Sequence, residues 1–319
     1  MNRLLPIVIV MALILGAASA HAQKDVRLSI ATGGTGGVYY PLGGGMANVI
    51  SKYVPEAEAT AEVTSASVDN CLLVGGKKAD MALVMADVSY DAAQGLNKFK
   101  GKLPLRTLAM LYPNNMHIVS IEGKGIEKPS DLKGKRFSTG APGSGTEVKC
   151  LRVLEAYGIN PDKDMARDRL GASESAGALK DGKIDAYCWD GGIPTASITD
   201  LGATPGVKLK LINHGDSVAK MTEKYGPLYT QGVIPAKSYP GQDQDVTIAV
   251  VWNILVCNPD MKDDIAYKIV KTLFEKKDEL VAVHKAAVDL KLESQQSGSP
   301  LPFHPGAAKF FKEKGITVK

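Results

Sequence analysis

The sequence predicts an α/β protein of two similar open lobes that face each other across a cleft. Three observations carry the prediction. Short apolar strand patterns alternate with helical spacing, the alternation restarts near His117, and a glycine-rich turn ends a strand at matching places in each half. Such alternation puts helices on the faces of a mostly parallel sheet.

In the first half, Val26–Ala31 is a short strand pattern that runs into the loop Thr32-Gly33-Gly34-Thr35-Gly36-Gly37. Residues 40–52 follow with helical spacing. Residues 57–63 read as a second strand, and Ser67 caps a helix through Gly75. Met81–Met85 is uninterrupted and apolar, as a strand covered on both faces should be; residues 87–94 are a helix and 107–111 another strand.

The second half opens with a strand at 117–121 and a short helical turn at 129–134. Residues 136–139 lead into the loop Gly140-Ala141-Pro142-Gly143-Ser144-Gly145, and a helix over 146–157 stops at Gly158. Residues 173–179 are helical, 184–189 and 208–212 are strands, and 247–257 is β-branched and apolar. The last third is helical at 261–275, 280–290 and 306–314.

The restart is an internal echo. Thr32 precedes the first glycine loop and Thr139 the second, 107 residues on. Gly76-Lys77-Lys78-Ala79-Asp80 precedes an apolar strand, and so does Gly182-Lys183-Ile184-Asp185. In open α/β sheets ligands bind beyond the carboxyl ends of the strands, so two lobes turned toward each other make the cleft the site.

Residues 1–22 read as an export signal: Arg3 is basic, residues 4–15 are apolar, and Ala20-His21-Ala22 is a small-x-small cleavage site. The organisation expected is therefore 1–22 as signal, 23–114 with 251–319 as one lobe, and 115–250 as the other. The apolar run at 249–257 is too short to span a bilayer and contains Asn253. The protein is expected to be periplasmic and monomeric. Its net charge of +4, without a basic cluster beside aromatics, argues against a nucleic-acid partner.

Cys71, Cys150, Cys188 and Cys257 contain no C-x-x-C pair and no histidine at zinc-ligand spacing, so neither a metal nor a cofactor is expected. The favoured disulfide is Cys150–Cys188, between the helix after the second glycine loop and a neighbouring strand. Glycine turns that open helices present free N–H groups and the positive helix end to anions. Neither loop is a P-loop or a dinucleotide fingerprint. His117, His214, His284 and His304 fall in no H-E-x-x-H motif, and Ser144 lies in no G-x-S-x-G elbow, so no catalytic residue is expected.

A run of motifs in order carries a resemblance across the chain. It comprises Gly34-Thr35-Gly36-Gly37-Val38-Tyr39-Tyr40-Pro41-Leu42-Gly43-Gly44, Ala79-Asp80-Met81-Ala82-Leu83-Val84 with Asp87 and Tyr90, and Gly143-Ser144-Gly145-Thr146-Glu147. Further on come Asp181-Gly182-Lys183-Ile184-Asp185-Ala186, Pro194-Thr195-Ala196, Tyr239-Pro240-Gly241-Gln242-Asp243 and His304-Pro305-Gly306-Ala307. The chain resembles the TAXI family, the TRAP-associated extracytoplasmic immunogenic solute receptors.

The resemblance implies a type II periplasmic-binding-protein fold and capture of a small organic anion. That ligand would be an amino acid such as glutamate, a dicarboxylate or an oxoacid. It also implies delivery to a TRAP-type permease driven by an ion gradient, rather than to an ATP-driven importer or a sensor kinase. By position the ligand residues would be Thr35, Gly36, Tyr39, Tyr40, Ser67, Asp87, His117, Gly143, Ser144, Gly145, Thr146, Trp189 and Asp190. Two segments depart from the family pattern. Thr64-Ser65-Ala66-Ser67 lacks paired glycines, and Cys188-Trp189-Asp190-Gly191-Gly192 brings an acid to the cleft rim, read either as a helix cap or as a partner for a ligand ammonium group. The ligand carboxylate is expected at 143–146, with the Ser144 hydroxyl as one donor, and the lobes are expected to close around it.

Overall fold

The structure, a computed structural model, describes residues 25–319. The expected export signal at 1–22 lies outside the described residues. The first half contains β1 (Val26–Ala31), α1 (Tyr39–Tyr53), β2 (Ala57–Glu62), α2 (Ser67–Gly75), β3 (Met81–Met85) and α3 (Ala86–Gln94). The long strand β4 (Arg106–Ile121) leads into β5 (Arg136–Ser138), α4 (Gly145–Ala156), β6 (Ala166–Asp168), α5 (Ala172–Lys180) and β7 (Ala186–Gly191). Then come α6 (Ala196–Gly202), β8 (Leu209–Leu211), α7 (Ser217–Tyr225), β9 (Thr230–Ile234), β10 (Val246–Cys257), α8 (Asp263–Glu275), α9 (Lys277–Val283) and α10 (Pro305–Glu313).

The strands form one curled mixed sheet in the order β2-β1-β3-β10-β4-β7-β5-β6, with β8 on β4 and β9 on β10. The two long strands join its halves. β4 pairs with β10 over Arg106–Asn115 and with β7 from Asn115 onward. β10 pairs with β9 up to Val250 and with β3 from Asn253. The chain therefore crosses between the halves twice, near Tyr112–Asn115 and Val250–Asn253. The two strands expected at 107–111 and 117–121 are one, β4, which runs through Pro113 because crossing the halves keeps its backbone extended. The helix expected over 280–290 also differs. It ends at Val283, His284 turns extended, and its ring accepts from the Ala286 N–H at 3.1 Å to cap a 3-10 turn over Lys285–Asp289.

The internal echo is built into the hydrogen bonds. β2-β1-β3 and β6-β5-β7 are both parallel trios. Thr32 gives its N–H (3.0 Å) and hydroxyl (2.6 Å) to the last carbonyl of β2, Glu62. Thr139 gives the same two groups, at 2.9 and 3.3 Å, to the last carbonyl of β6, Asp168. Asp80 accepts the Ser29 N–H on β1 at 2.8 Å, and Asp185 accepts the Arg136 N–H on β5 at 2.9 Å. The repeated residues thus fix where each strand trio stops and where its loops begin.

Every residue of β3 is buried, matching its uninterrupted apolar pattern. The acids of α8, Asp263 and Asp264, sit in its first turn, where they complement the helix dipole. Among the described residues no helix is long and apolar enough to cross a membrane.

Cys150 on α4 and Cys188 on β7 form a disulfide with Cα atoms 6.1 Å apart, while Cys71 and Cys257 are free and buried. Both bridged residues are buried, so a reductant reaches them only through unfolding. With the cysteines 38 positions apart in the sequence, loop-closure entropy gives the bridge about 4 kcal/mol. Peptide mapping without reduction should recover this one bridge, and Cys150→Ser with Cys188→Ala should lower unfolding stability in urea by that order. Four free thiols would contradict it.

Candidate functional site

Four helix N-termini converge on one cavity of about 270 Å³. α1 and α2 reach it from the first half, α4 and α5 from the second. Its walls are Gly33–Tyr39 and Thr64–Ser67, Met85 after β3, Tyr112 and Asn114 on β4, Gly140–Thr146 in part, Leu170–Glu174, and Trp189–Gly191 on β7. Each wall segment follows the carboxyl end of a strand or lies on a crossing strand. The repeated topology therefore places the site.

Nine of the thirteen expected residues line the cavity: Thr35, Gly36, Tyr39, Ser67, Ser144, Gly145, Thr146, Trp189 and Asp190. Tyr40 does not, because it points from the outer face of α1 and is 37% exposed. Asp87 is buried in α3, where it accepts from Arg152 Nη1 at 3.2 Å and from the Tyr229 hydroxyl at 2.8 Å. His117 is buried on β4: Nδ1 donates to the Asn115 carbonyl at 2.8 Å, so Nε2 accepts from Tyr239 Oη at 2.9 Å. Gly143 is a clasp between the halves. Its carbonyl accepts the Val68 (3.0 Å) and Asp69 (3.3 Å) N–H groups at the start of α2. Its φ of +79° favours glycine, and a Cβ there would lie 2.6 Å from Asp69 Oδ1.

The hydroxyls differ in what they can offer. Ser144 caps α4, accepting from the Glu147 N–H at 3.0 Å while donating to the Ala141 carbonyl at 2.7 Å. Its proton is committed, which corrects its expected role as a donor to a ligand. Thr146 accepts from the Asp190 N–H at 3.3 Å and keeps a proton to donate, while Ser67 accepts from the Met85 N–H at 3.1 Å and its hydroxyl also meets the Tyr39 phenol. The N–H groups of Gly145 and Thr146, in the first turn of α4, have no intrahelical acceptor. Tyr39 instead turns its hydroxyl to Asn253 Oδ1 at 2.5 Å. Burial raises the Tyr39 phenol pKa, so it stays a neutral donor.

Ala66 stands at φ 82°, ψ −144°, a conformation that L residues avoid. Glycine would adopt this geometry without strain. Asp190 is neither a helix cap nor an open rim acid. It lies on β7, its side chain has no accessible surface, and Oδ1 accepts from Lys149 Nζ at 2.8 Å. Burial pushes its pKa up to about 7, against the pull of Lys149.

Sequence reasoning missed Lys149 and the Leu170–Glu174 wall. The echo holds the signal for the wall, since the segment between β6 and α5 is the counterpart of Thr64–Ser67 between β2 and α2. Lys149 gives no such sign: a lysine in an amphipathic helix reads as a solvated face.

The buried histidines make stability depend on pH. Burial lowers His117 to about 3 and His214 to about 4. Below about pH 6.5 the unfolded chain takes up protons that the folded one refuses, so both contributions are lost as pH falls. Asp190 works in the opposite sense, binding a proton in the folded state below about pH 7. The clean measurement is therefore a comparison. His117→Gln should flatten the loss of stability between about pH 6.5 and 4 by several kcal/mol relative to wild type. Parallel pH profiles would contradict a neutral buried His117.

The sequence pattern of the NMT1-like family matches residues 30–315. Among solved structures, a protein of Bordetella bronchiseptica RB50 superposes with TM-score 0.52 at 19% identity, covering 91% of this chain and 89% of that one. A provisionally assigned L-cystine ABC transporter from Listeria monocytogenes gives 0.51 at 15%, covering 83% and 98%. An ancestral arginine-binding protein bound to arginine gives 0.50 at 14%, covering 82% and 98%. At these identities the likeness is one of fold, an α/β fold that matches periplasmic binding proteins.

Proposed function

The chain belongs to the NMT1-like family, and on that premise we propose that it is a periplasmic receptor that captures a small carboxylate-bearing solute for import and catalyses no reaction. One observation carries the reading. A cavity takes its walls from both halves of a sheet that the described residues cross twice, and four helix N-termini point at it. Hinge-linked halves of this kind close on ligands. Residues 23–114 with 251–319 form one lobe and 115–250 the other. The carboxylate binds at Gly145 and Thr146, where two free N–H groups, the dipole of α4 and the Thr146 hydroxyl converge.

A hydrolase built on Ser144 is disfavoured by its bonding, since the hydroxyl proton goes to the Ala141 carbonyl and no histidine holds it. The partner is an importer in the membrane. The TAXI-type motifs favour a TRAP permease, and the likeness to the provisionally assigned L-cystine ABC transporter of Listeria favours an ABC importer as the second reading. Uptake in proteoliposomes separates them: a sodium or proton gradient alone should suffice for the first, and ATP should be required for the second.

The receptor reading is tested by thermal denaturation over a panel of carboxylates and amino acids. A ligand that binds only the folded state raises the melting temperature by mass action. At least one compound should do so at millimolar concentration or below, and a panel without any shift would contradict the reading.

A further inference from the structure

The resemblance implies an anionic ligand, but the cavity carries the wrong charge for one. Its lining contains two carboxylates, Glu174 and Asp190, and no lysine, arginine or histidine. Lys149, the cation bonded to the lining residue Asp190, is fully buried and already engaged, with Asp190 Oδ1 at 2.8 Å and the Asn114 carbonyl at 3.2 Å. Acids also sit in the first turns of α2 (Asp69) and α5 (Glu174), where they use up part of the positive helix ends. A dicarboxylate would bring a second negative charge to walls with no free cation to meet it, and desolvating such a charge is costly.

One wall is short of hydrogen-bond partners. Three lining residues carry a buried polar atom without a hydrogen-bond partner: Tyr112 Oη, Asn114 Oδ1 and Asp190 Oδ2. Asn114 Oδ1 can only accept, and so can Asp190 Oδ2 while the carboxyl is ionised. Buried acceptors are nearly always paired in folded proteins, and here they collect beside the cavity, on the adjoining strands β4 and β7. A ligand amino group supplies the missing protons and charge. The opposite wall, with the free N–H groups of α4, takes a single carboxylate.

Building on the receptor reading, we propose that the ligand is a zwitterion of no net negative charge, a neutral α-amino acid. Its ammonium group would lie against the Asp190–Asn114–Tyr112 wall and its side chain among Trp189, Leu170 and Met85. Lys149 is a positioning residue that holds the Asp190 carboxylate in place.

Matched pairs test this by calorimetry on the intact chain: leucine against 4-methylpentanoate, and glutamine against glutamate and glutarate. In at least one pair the neutral amino acid should bind roughly tenfold or more tightly than its deaminated or acidic counterpart, the worth of one charge-assisted hydrogen bond. In Asp190→Asn that preference should shrink to about threefold or less, and if this variant does not fold, the wild-type pairs decide. Glutarate or 4-methylpentanoate binding as tightly as its amino counterpart, or glutamate as tightly as glutamine, would overturn the zwitterion assignment and leave the receptor reading standing. Binding of none of the five compounds, with no hit in the wider panel, would overturn both.

Discussion

Arg152→Met should cost the fold about 3–5 kcal/mol in urea denaturation at pH 7, the range for breaking a buried ion pair from one side. Arg152 sits on α4, in the second half of the sheet, and is 5% exposed. Its guanidinium reaches across to α3 in the first half. There Nη1 lies 3.2 Å from Asp87 Oδ2 and Nη2 is bonded to Asp91. Tyr229 joins the cluster, accepting from Nη1 at 2.5 Å and donating to Asp87 at 2.8 Å, and the guanidinium lies 4.4 Å from the centre of the Tyr225 ring. Burial already raises the Asp91 pKa, with Arg152 pulling it back. Without Arg152, two carboxylates remain buried with no cation. Asp91, already raised by burial, then protonates more readily in the folded state than in the unfolded one, so the penalty should shrink as pH is lowered toward 5. Adding Asp91→Asn to Arg152→Met should recover part of the loss. A penalty below about 1 kcal/mol would mean that the cluster is solvated, as surface pairs are.

Gly37→Val should weaken solute binding roughly tenfold to a hundredfold while leaving the melting temperature of the free protein nearly unchanged. Gly37 lies on the first glycine loop, and a Cβ there would stand 2.7 Å from Cη2 of Trp189, across the cleft. The indole has little room to yield, since its Nε1 donates to Thr195 Oγ1 at 3.0 Å. The added methyls therefore act as a wedge between the halves. Overpacking of this kind costs about 1–3 kcal/mol, and here it falls on the closed state alone. Affinity drops by the fraction of closed state lost. Unchanged affinity would show that Gly37 and Trp189 do not meet in the bound state.

Much of the fold was legible because it repeats. Thr32 and Thr139, and Asp80 and Asp185, mark equivalent ends of equivalent strands, and the structure gives each pair the same hydrogen bonds. The glycine loops announced two of the four helix N-termini at the cavity. What stayed hidden depends on contacts between distant segments. Asp87 was expected at the cleft from the family resemblance, yet Arg152, 65 residues later, draws it into an ion cluster. His117 sits at the crossing of the halves, but Tyr239 turns it into a core hydrogen bond. Lys149 is indistinguishable in sequence from a surface lysine. Only the packing of α4 on β7 buries it beside Asp190. Ser144 was recognisable as a residue of the right loop, but whether its proton is free depends on the turn made by Ala141.

The central claim, that two lobes joined by β4 and β10 close around a solute, is tested most directly by small-angle X-ray scattering. Wild-type protein would be measured alone and saturated with the panel compound that raises its melting temperature most. The account predicts a smaller radius of gyration in the saturated sample, with Gly37→Val failing to compact under the same conditions. Superimposable wild-type curves, at a concentration where calorimetry shows the site filled, would contradict it.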